Sequence, residues 1–456
     1  MTLNSTRQAL HGVVWTTGTY ALSVIVRFGS NVILSRLLNP QLLGMLLIVN
    51  TIRQGIELSS DVGFAQNVIN NKKGGEPLFY NTVWVMQMLR GVALGVILFL
   101  CAAPLGRLYD LPASAIEISA ATLLVTGFAS TSIFLLHRNL ALARLNLFDL
   151  ANDVIGAIIV VAAAFISPTI ESLLISLLIA QVIRAALSYI ITDYKNQFMF
   201  SKAIAIEVVT FGRWIFLSSM LAFLCASFDR LYLGKVAPLA IVGVYGLARA
   251  LADLPTFLAA RIGYSVIFPI VSSARHREGE EITERLSPMR YKLLIAIAAA
   301  MAFGITISDI AFTFIYDARY HEASWMLTLL LLGGWVSILC STNEYTLLGF
   351  GKPFYNVIGN GLKLAFYLAV LPLAFNTAGL IGAILVIAFS DLTRYTTLAV
   401  GQRREHVSFL RQDAAATVIF IALIVVMSAI RYEMGGGTAF DAIPIEKLWT
   451  ILGSAG

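Results

Sequence analysis

The 456 residues specify an all-α, polytopic membrane protein, and three observations carry that expectation. Hydrophobic residues make up 58% of the chain and charged residues 13%, against roughly 45–50% and about 25% in ordinary globular domains. Mean hydropathy is +0.81, and apolar segments recur at the length of about 20 residues needed to cross a hydrocarbon layer of roughly 30 Å. Lys and Arg in the connections between these segments alternate between crowded and sparse, as the positive-inside rule requires of cytoplasmic and external loops.

The first apolar segment, 12–35, follows Arg7 and so has the flank of a signal peptide. It is too long for one, contains Arg27 and lacks a small-residue cleavage site, so it reads as a retained helix. Further segments fall at 41–64, 82–106, 113–136, 149–167, 171–192, 207–233, 239–262, 291–316, 322–349, 355–375, 378–400 and 413–431. In lipid each must satisfy its own backbone hydrogen bonds, and uninterrupted runs of this length do so as helices, not as the alternating strands of a barrel. Counted alternately, the connections place about 16 Lys and Arg on one side, from Arg7, Lys72, Lys73, Arg138 and Arg144 through to Arg403, Arg404 and Arg411. The other side has about four, Arg36, Arg107, Lys235 and Arg319. That contrast predicts a cytoplasmic N-terminus and, for a bacterial chain, residence in the inner membrane.

The segments group as an N-terminal lobe over 1–200, a second lobe over 201–400, each of six helices, and an additional helix with a tail over 401–456. The break at Asp193–Glu207 follows the sixth segment, and the halves open alike. Gly12 and Trp15 lead through Arg36 and Pro40 to Gly44, as Gly212 and Trp214 lead through Arg230 and Pro238 to Gly243. Repeats of six helices keep one orientation, which makes them parallel repeats about an axis along the membrane normal. The longest hydrophilic stretch, Ser272–Lys292, is too short for a catalytic domain and reads as a partly helical cytoplasmic loop. Beyond Arg431, Ile443–Leu452 is too short to span, and as an interfacial helix or the stump of another span it leaves the side of the C-terminus open.

Several functional classes are excluded. A net charge of +6 without a basic arm does not point to nucleic acid. Cys101, Cys225 and Cys340 stand singly in apolar segments, and His11, His137, His276, His321 and His406 show no HExxH or Cys/His spacing, so no metal centre is expected. No GxxxxGK[ST] loop is present, so ATP is not hydrolysed here. With no enzymatic constellation, no cofactor is called for.

Charge inside the apolar segments is the distinctive feature. Arg27, Arg53, Arg90, Arg184, Arg213, Arg230, Arg249, Arg261, Lys363 and Arg394 all fall within them. Each costs roughly 2.5–3.5 kcal/mol at mid-bilayer, so facing lipid together they would cost about 30 kcal/mol. Some snorkel or pair locally, as Arg394 does with Asp391 three residues before it. Arg27, Arg53, Arg249 and Lys363 sit deepest and are the candidate cations of a water-filled substrate cavity. Arg53 belongs to a stripe of Asn50, Glu57 and Asp61, and Arg249 has Asp253 one turn on. Arg213, Arg230, Arg261, Glu57, Asp61 and Asp253 are secondary candidates. Guanidinium forks suit phosphate or diphosphate, so the expected substrate is anionic.

At Ile33-Leu34-Ser35-Arg36-Leu37-Leu38-Asn39-Pro40 and Gly44 the chain resembles the polysaccharide transporter branch of the multidrug/oligosaccharidyl-lipid/polysaccharide exporter superfamily. Asp229-Arg230-Leu231-Tyr232-Leu233-Gly234, Gly243-Val244-Tyr245-Gly246-Leu247-Ala248, Pro255 and Pro269 look like that branch's seventh and eighth helices. The resemblance implies two six-helix lobes around a central cavity that opens alternately to either side. It implies as substrate a polyprenyl-diphosphate-linked oligosaccharide flipped for O-antigen, capsule or exopolysaccharide synthesis. In the related lipid-linked peptidoglycan precursor flippases, cavity arginines lie on the first, second and eighth helices, where this chain has Arg27, Arg53, and Arg249 or Arg261. Membrane lipids and a polysaccharide polymerase complex are candidate partners, and a proton or sodium ion the candidate coupling ion. One alternative is a peptidoglycan precursor flippase. Another is a drug or cation antiporter of the same superfamily, with Asp309 and Glu57 as unpaired carboxylates. A glycosyltransferase would need a large external loop, which the spacing does not allow.

Overall fold

The structure, a computed structural model, describes residues 3–139, 141–273 and 279–444. Helix dominates, and no strand occurs among the described residues. In chain order the helices are α1 (Leu3–Leu37), α2 (Pro40–Leu58), α3 (Phe64–Asn70), α4 (Pro77–Leu100), α5 (Ala102–Tyr109), α6 (Ala113–Gly127) and α7 (Ile133–Arg138). They continue as α8 (Leu142–Ile166), α9 (Ile170–Ile190), α10 (Lys202–Val236), α11 (Leu239–Ile262) and, after a π turn at Gly263–Ile267, α12 (Phe268–Ser273). The remainder are α13 (Gly279–Thr306), α14 (Ser308–Phe314), α15 (Ala323–Gly349), α16 (Phe354–Phe389), α17 (Asp391–Arg404) and α18 (Leu410–Glu433).

Nine helical stretches among the described residues are long and apolar enough to cross a membrane. One of them, Phe354–Arg404, runs 51 residues. Its backbone leaves helical geometry at Gly379 (φ 60°, ψ −146°), so it contains two crossing segments, the division expected between 375 and 378. The predicted segment 113–136 is likewise two pieces, because α6 is an apolar helix of only 15 residues that stops at Gly127. Local chemistry sets the other boundaries. Asn39 caps α2, its side chain accepting from Leu42 N at 2.8 Å, and Pro40 takes the first helical position, where a missing N–H costs nothing.

The chain divides into two compact units, residues 1–223 with 230–243, and residues 224–229 with 244–456. In unit 1, α1 packs on α8, and α6 lies between α4 and α9. The α4–α6 crossing is made by glycine on glycine: a Cβ on Gly91 would stand 2.5 Å from Gly127 Cα. Small residues let helix backbones approach closely where lipid gives no hydrophobic drive to associate. Gly44 and Gly243 also meet, each with a Cβ position about 2 Å from a backbone carbonyl, Leu239 O and Pro40 O respectively. The long helices that precede them, α1 and α10, are both 35 residues. The connection at 191–201 is non-helical and clasped to unit 1: Gln197 N donates to Asn81 Oδ1 (2.9 Å), Ser201 N to Thr82 Oγ1 (3.1 Å) and Tyr80 OH to Lys195 O (3.5 Å).

In unit 2 the central element is α15, whose apolar window is 78% buried. A buried ionic junction ties α13, α15, α17 and α18 together. Arg290 donates to Asp413 Oδ1 (2.5 Å), Asn343 Oδ1 (2.9 Å), Thr342 Oγ1 (2.9 Å) and Gln412 Oε1 (2.7 Å), and Tyr395 OH donates to Asp413 Oδ2 (2.8 Å). At the other end of α18, Arg431 donates to both oxygens of Asp309 at 2.6 Å and to Thr306 O. The end of α18 therefore lies at the same membrane end as the 307–322 connection. Residues 445–456, which hold most of the short segment Ile443–Leu452, and residues 274–278 of the long hydrophilic loop lie outside the described residues.

Candidate functional site: paired cations in each unit

In unit 1 the expected stripe on α2 is present. Arg53 Nη1 donates to Glu57 Oε2 at 3.1 Å across one helical turn, with the side chains 26% and 33% exposed. Arg53 and Asn50 face a cavity of about 190 Å³ whose far wall is Asn152 and Asp153 on α8 and Gln181 and Arg184 on α9. Asp153 links this cavity to α1, because Arg27 Nη2 donates to both its carboxylate oxygens at 3.0–3.1 Å. Arg27 remains 66% exposed in that pair, whereas Asp153 is 18% exposed. Arg184 donates to Asp149 Oδ1 at 2.9 Å and lies 5.1 Å above the Phe148 ring. Arginines of α2 and α9 thus line one polar cavity, and an arginine of α1 holds a carboxylate in its wall. Asp61 is set slightly apart, its Oδ1 accepting from Gly63 N at 2.9 Å. Arg90 donates to Ser60 Oγ at 3.0 Å and to Glu57 O, closing the carbonyl end of α2.

In unit 2, Arg249 Nε lies 3.1 Å from Asp253 Oδ1, the i,i+4 pair read from the sequence, and Nη1 lies 4.0 Å from Asp229 Oδ2. Asp229, on α10, is almost wholly buried and accepts from Tyr245 OH. Its other oxygen has no hydrogen bond among the described residues. Lys363 has no acid one turn away, but its Nζ donates to Asp391 Oδ1 at 2.9 Å, with exposures of 10% and 8%. Asp391 also accepts from Ser337, and Arg394, at 4.0 Å from Asp391, is held by Glu344 and by Asn356 Oδ1 (3.1 Å). Of the secondary candidates, Arg213 is exposed on α10, Arg230 is half-buried on the same helix, and Arg261 is half-buried in the last turn of α11.

The structure corrects one expectation and adds several residues. Asp309 and Glu57 are not the unpaired carboxylates an antiporter would need, since Arg431 and Arg53 hold them. Asp153, Asp229, Glu344 and the Arg290–Asp413 pair were not singled out from sequence. Their partners lie many residues away or on other helices, so no i,i+4 rule could find them.

Solved structures share the fold. A lipid II flippase (MurJ, inward closed conformation) superposes with a TM-score of 0.72 at 13% identity, covering 92% of this chain and 99% of that one. An inward-facing multidrug resistance transporter of the MATE family, in the MOP superfamily, gives 0.66 at 14% identity, covering 84% and 94%. The chain belongs to the polysaccharide biosynthesis protein family, whose model matches residues 33–325. Among curated relatives, the succinoglycan biosynthesis transport protein ExoT of Rhizobium meliloti (strain 1021) is 24% identical over 386 residues, 83% of this chain and 74% of that protein. The lipopolysaccharide biosynthesis protein WzxC of Escherichia coli (strain K12) is 22% identical over 298 residues, 64% of this chain and 58% of that protein. These likenesses place the chain in the polysaccharide biosynthesis protein family, with the helical fold of the solved flippase and MATE transporter.

Proposed function

We propose that the protein flips a polyprenyl-diphosphate-linked oligosaccharide across the bacterial inner membrane by alternating access, with its N-terminus cytoplasmic. The observation that carries this reading is a polar cavity in unit 1 lined by Arg53, Arg184 and Asp153, the last of which is held by Arg27. Each guanidinium is paired with a carboxylate, which keeps the empty site near neutral, and a diphosphate can take over those pairings with bidentate geometry. Exposure orders the candidates. An ion pair as exposed as Arg27–Asp153 is worth about 1 kcal/mol or less and exchanges readily. Arg53 at 26% and Arg249 at 20% follow. Lys363, enclosed with Asp391, releases its partner least readily. The polyprenyl tail stays in lipid, and a polysaccharide polymerase complex is the partner expected to consume the flipped product.

The test is the lipid extract of a strain lacking the protein, assayed for polyprenyl-diphosphate oligosaccharide and for the membrane face that holds it. Cytoplasmic-face accumulation, relieved by the wild-type gene and not by Arg53→Ala, is the expected result. No accumulation, with drug sensitivity raised instead, would replace this reading with an antiporter.

A further inference from the structure

Two membrane segments of unit 1 are discontinuous. α2 ends at Leu58, and Ser59–Gly63 leave helical geometry before α3 begins, with Gly63 at φ 69°. α6 ends at Gly127, and Phe128–Ser132 separate it from α7. The second break packs on the end of α9 and the 191–201 connection, with Ser130 N donating to Ser188 Oγ at 2.8 Å and the Ser132 and Thr192 hydroxyls 2.6 Å apart.

A cavity of about 500 Å³ adjoins both breaks, with Asp61 from the first and Ala129 and Ser130 from the second in its wall. Four glutamines from three helical elements and α2 also line it: Gln54, Gln66, Gln87 and Gln181. Gln87 Nε2 donates to Ala129 O at 2.9 Å and Gly127 O at 3.3 Å, fixing the second break to α4. The carboxamides of Gln54, Gln66 and Gln181 make no hydrogen bond among the described residues. The charges on the wall balance, with Glu57 and Asp61 against Arg90 and Arg184. Gln181 and Arg184 also line the smaller cavity of Arg53, so the two cavities share a wall.

We propose that this cavity is a subsite for uncharged sugar residues, which rests on the flippase reading and assigns unit 1 the recognition of the saccharide. A carboxamide presents a donor and an acceptor side by side, the complement of adjacent sugar hydroxyls, and three such groups are uncommitted. A volume of about 500 Å³ lies in the range of small-molecule sites, roughly 300–1,000 Å³. A balanced wall selects neither a cation nor a second phosphate. Arg53 in the smaller cavity and Arg184 at the shared wall take the diphosphate end.

The purified full chain in liposomes is given either the strain's own polyprenyl-diphosphate oligosaccharide or a polyprenyl-diphosphate bearing one hexose. Flipping is read as access to an impermeant diphosphatase. Gln54→Ala with Gln66→Ala slows the native donor about 10-fold and the one-hexose donor less than about 2-fold, the scale of two lost hydrogen bonds. Ala129→Phe, which fills the cavity and removes no polar group, gives the same split. Equal loss on both donors, or no loss on either, overturns the subsite. In parallel, the oligosaccharide released from the native donor by mild acid is titrated against the detergent-solubilised protein by tryptophan fluorescence. Saturable binding weakened about 10-fold by the paired glutamine changes supports the subsite, and no binding by wild type overturns it. If wild type flips neither donor, the flippase reading itself falls, and the titration still decides whether the cavity takes sugar.

Discussion

Replacing Asp413 by Ala isolates the energetics that hold α18 to unit 2. Arg290 is 1% exposed and Asp413 2%, so neither charge is hydrated. Arg290 also spans Asn343, Thr342 and Gln412 and stands 4.6 Å above the Phe409 ring. Removing Asp413 leaves a guanidinium whose other partners are all neutral, in surroundings that cannot hydrate it. Breaking a buried pair from one side costs about 3–5 kcal/mol, whereas replacing both partners by apolar groups of similar volume is often near neutral. Asp413→Ala should therefore lower the folded-to-unfolded ratio by about two to four orders of magnitude, since each 1.4 kcal/mol is a factor of ten. Arg290→Met with Asp413→Leu should recover most of that loss. The assay is thermal unfolding of purified protein in mild detergent, with membrane abundance as the cellular readout. A single change that melts within a degree or two of wild type, or a double change as damaging as the single one, would refute the reasoning.

Arg53→Ala should slow export by about 10-fold or more, and Arg53→Lys should rescue it only in part because an ammonium lacks the guanidinium fork; pulse-labelled surface polysaccharide measures both. Gly91→Leu should destabilise unit 1 by about 3 kcal/mol, because the new Cβ would stand 2.5 Å from Gly127 Cα; cellular abundance and melting temperature report it, and unchanged values would mean the crossing relaxes freely. In a cysteine-free background, an impermeant maleimide added outside should label Pro168→Cys and leave Lys73→Cys unlabelled, both positions being exposed in connections. The reverse pattern would invert the proposed topology.

Helices and buried cations could be read from the residues because both follow local rules. Hydropathy over about 20 residues marks a span, and Arg53–Glu57 and Arg249–Asp253 are pairs one helical turn apart. What stayed hidden was non-local. Asp153 lies 126 residues from Arg27, and Asp391 lies 28 from Lys363. Nothing in the local pattern joins them before the helices pack. The break at Ser59-Ser60-Asp61-Val62-Gly63 did carry a signal, two serines, an aspartate and a glycine closing an apolar run, the composition of a turn. Hydropathy averaging passes over it because Ile56, Leu58, Val62 and Phe64 keep the window apolar. The same averaging joined α6 to α7 across Ser130-Thr131-Ser132.

The clasp on residues 191–201 has a mechanical meaning. A free connector of that length would extend to roughly 35–40 Å and let the chain after it wander. With Gln197, Ser201 and Lys195 bonded to three consecutive residues of α4, Tyr80, Asn81 and Thr82, that slack is taken up. The connector then transmits displacement instead of absorbing it, so a shift of α4 is passed to the first turn of α10 almost undamped. Cutting those bonds, by Asn81→Ala with Thr82→Val, would turn a coupling rod back into a rope.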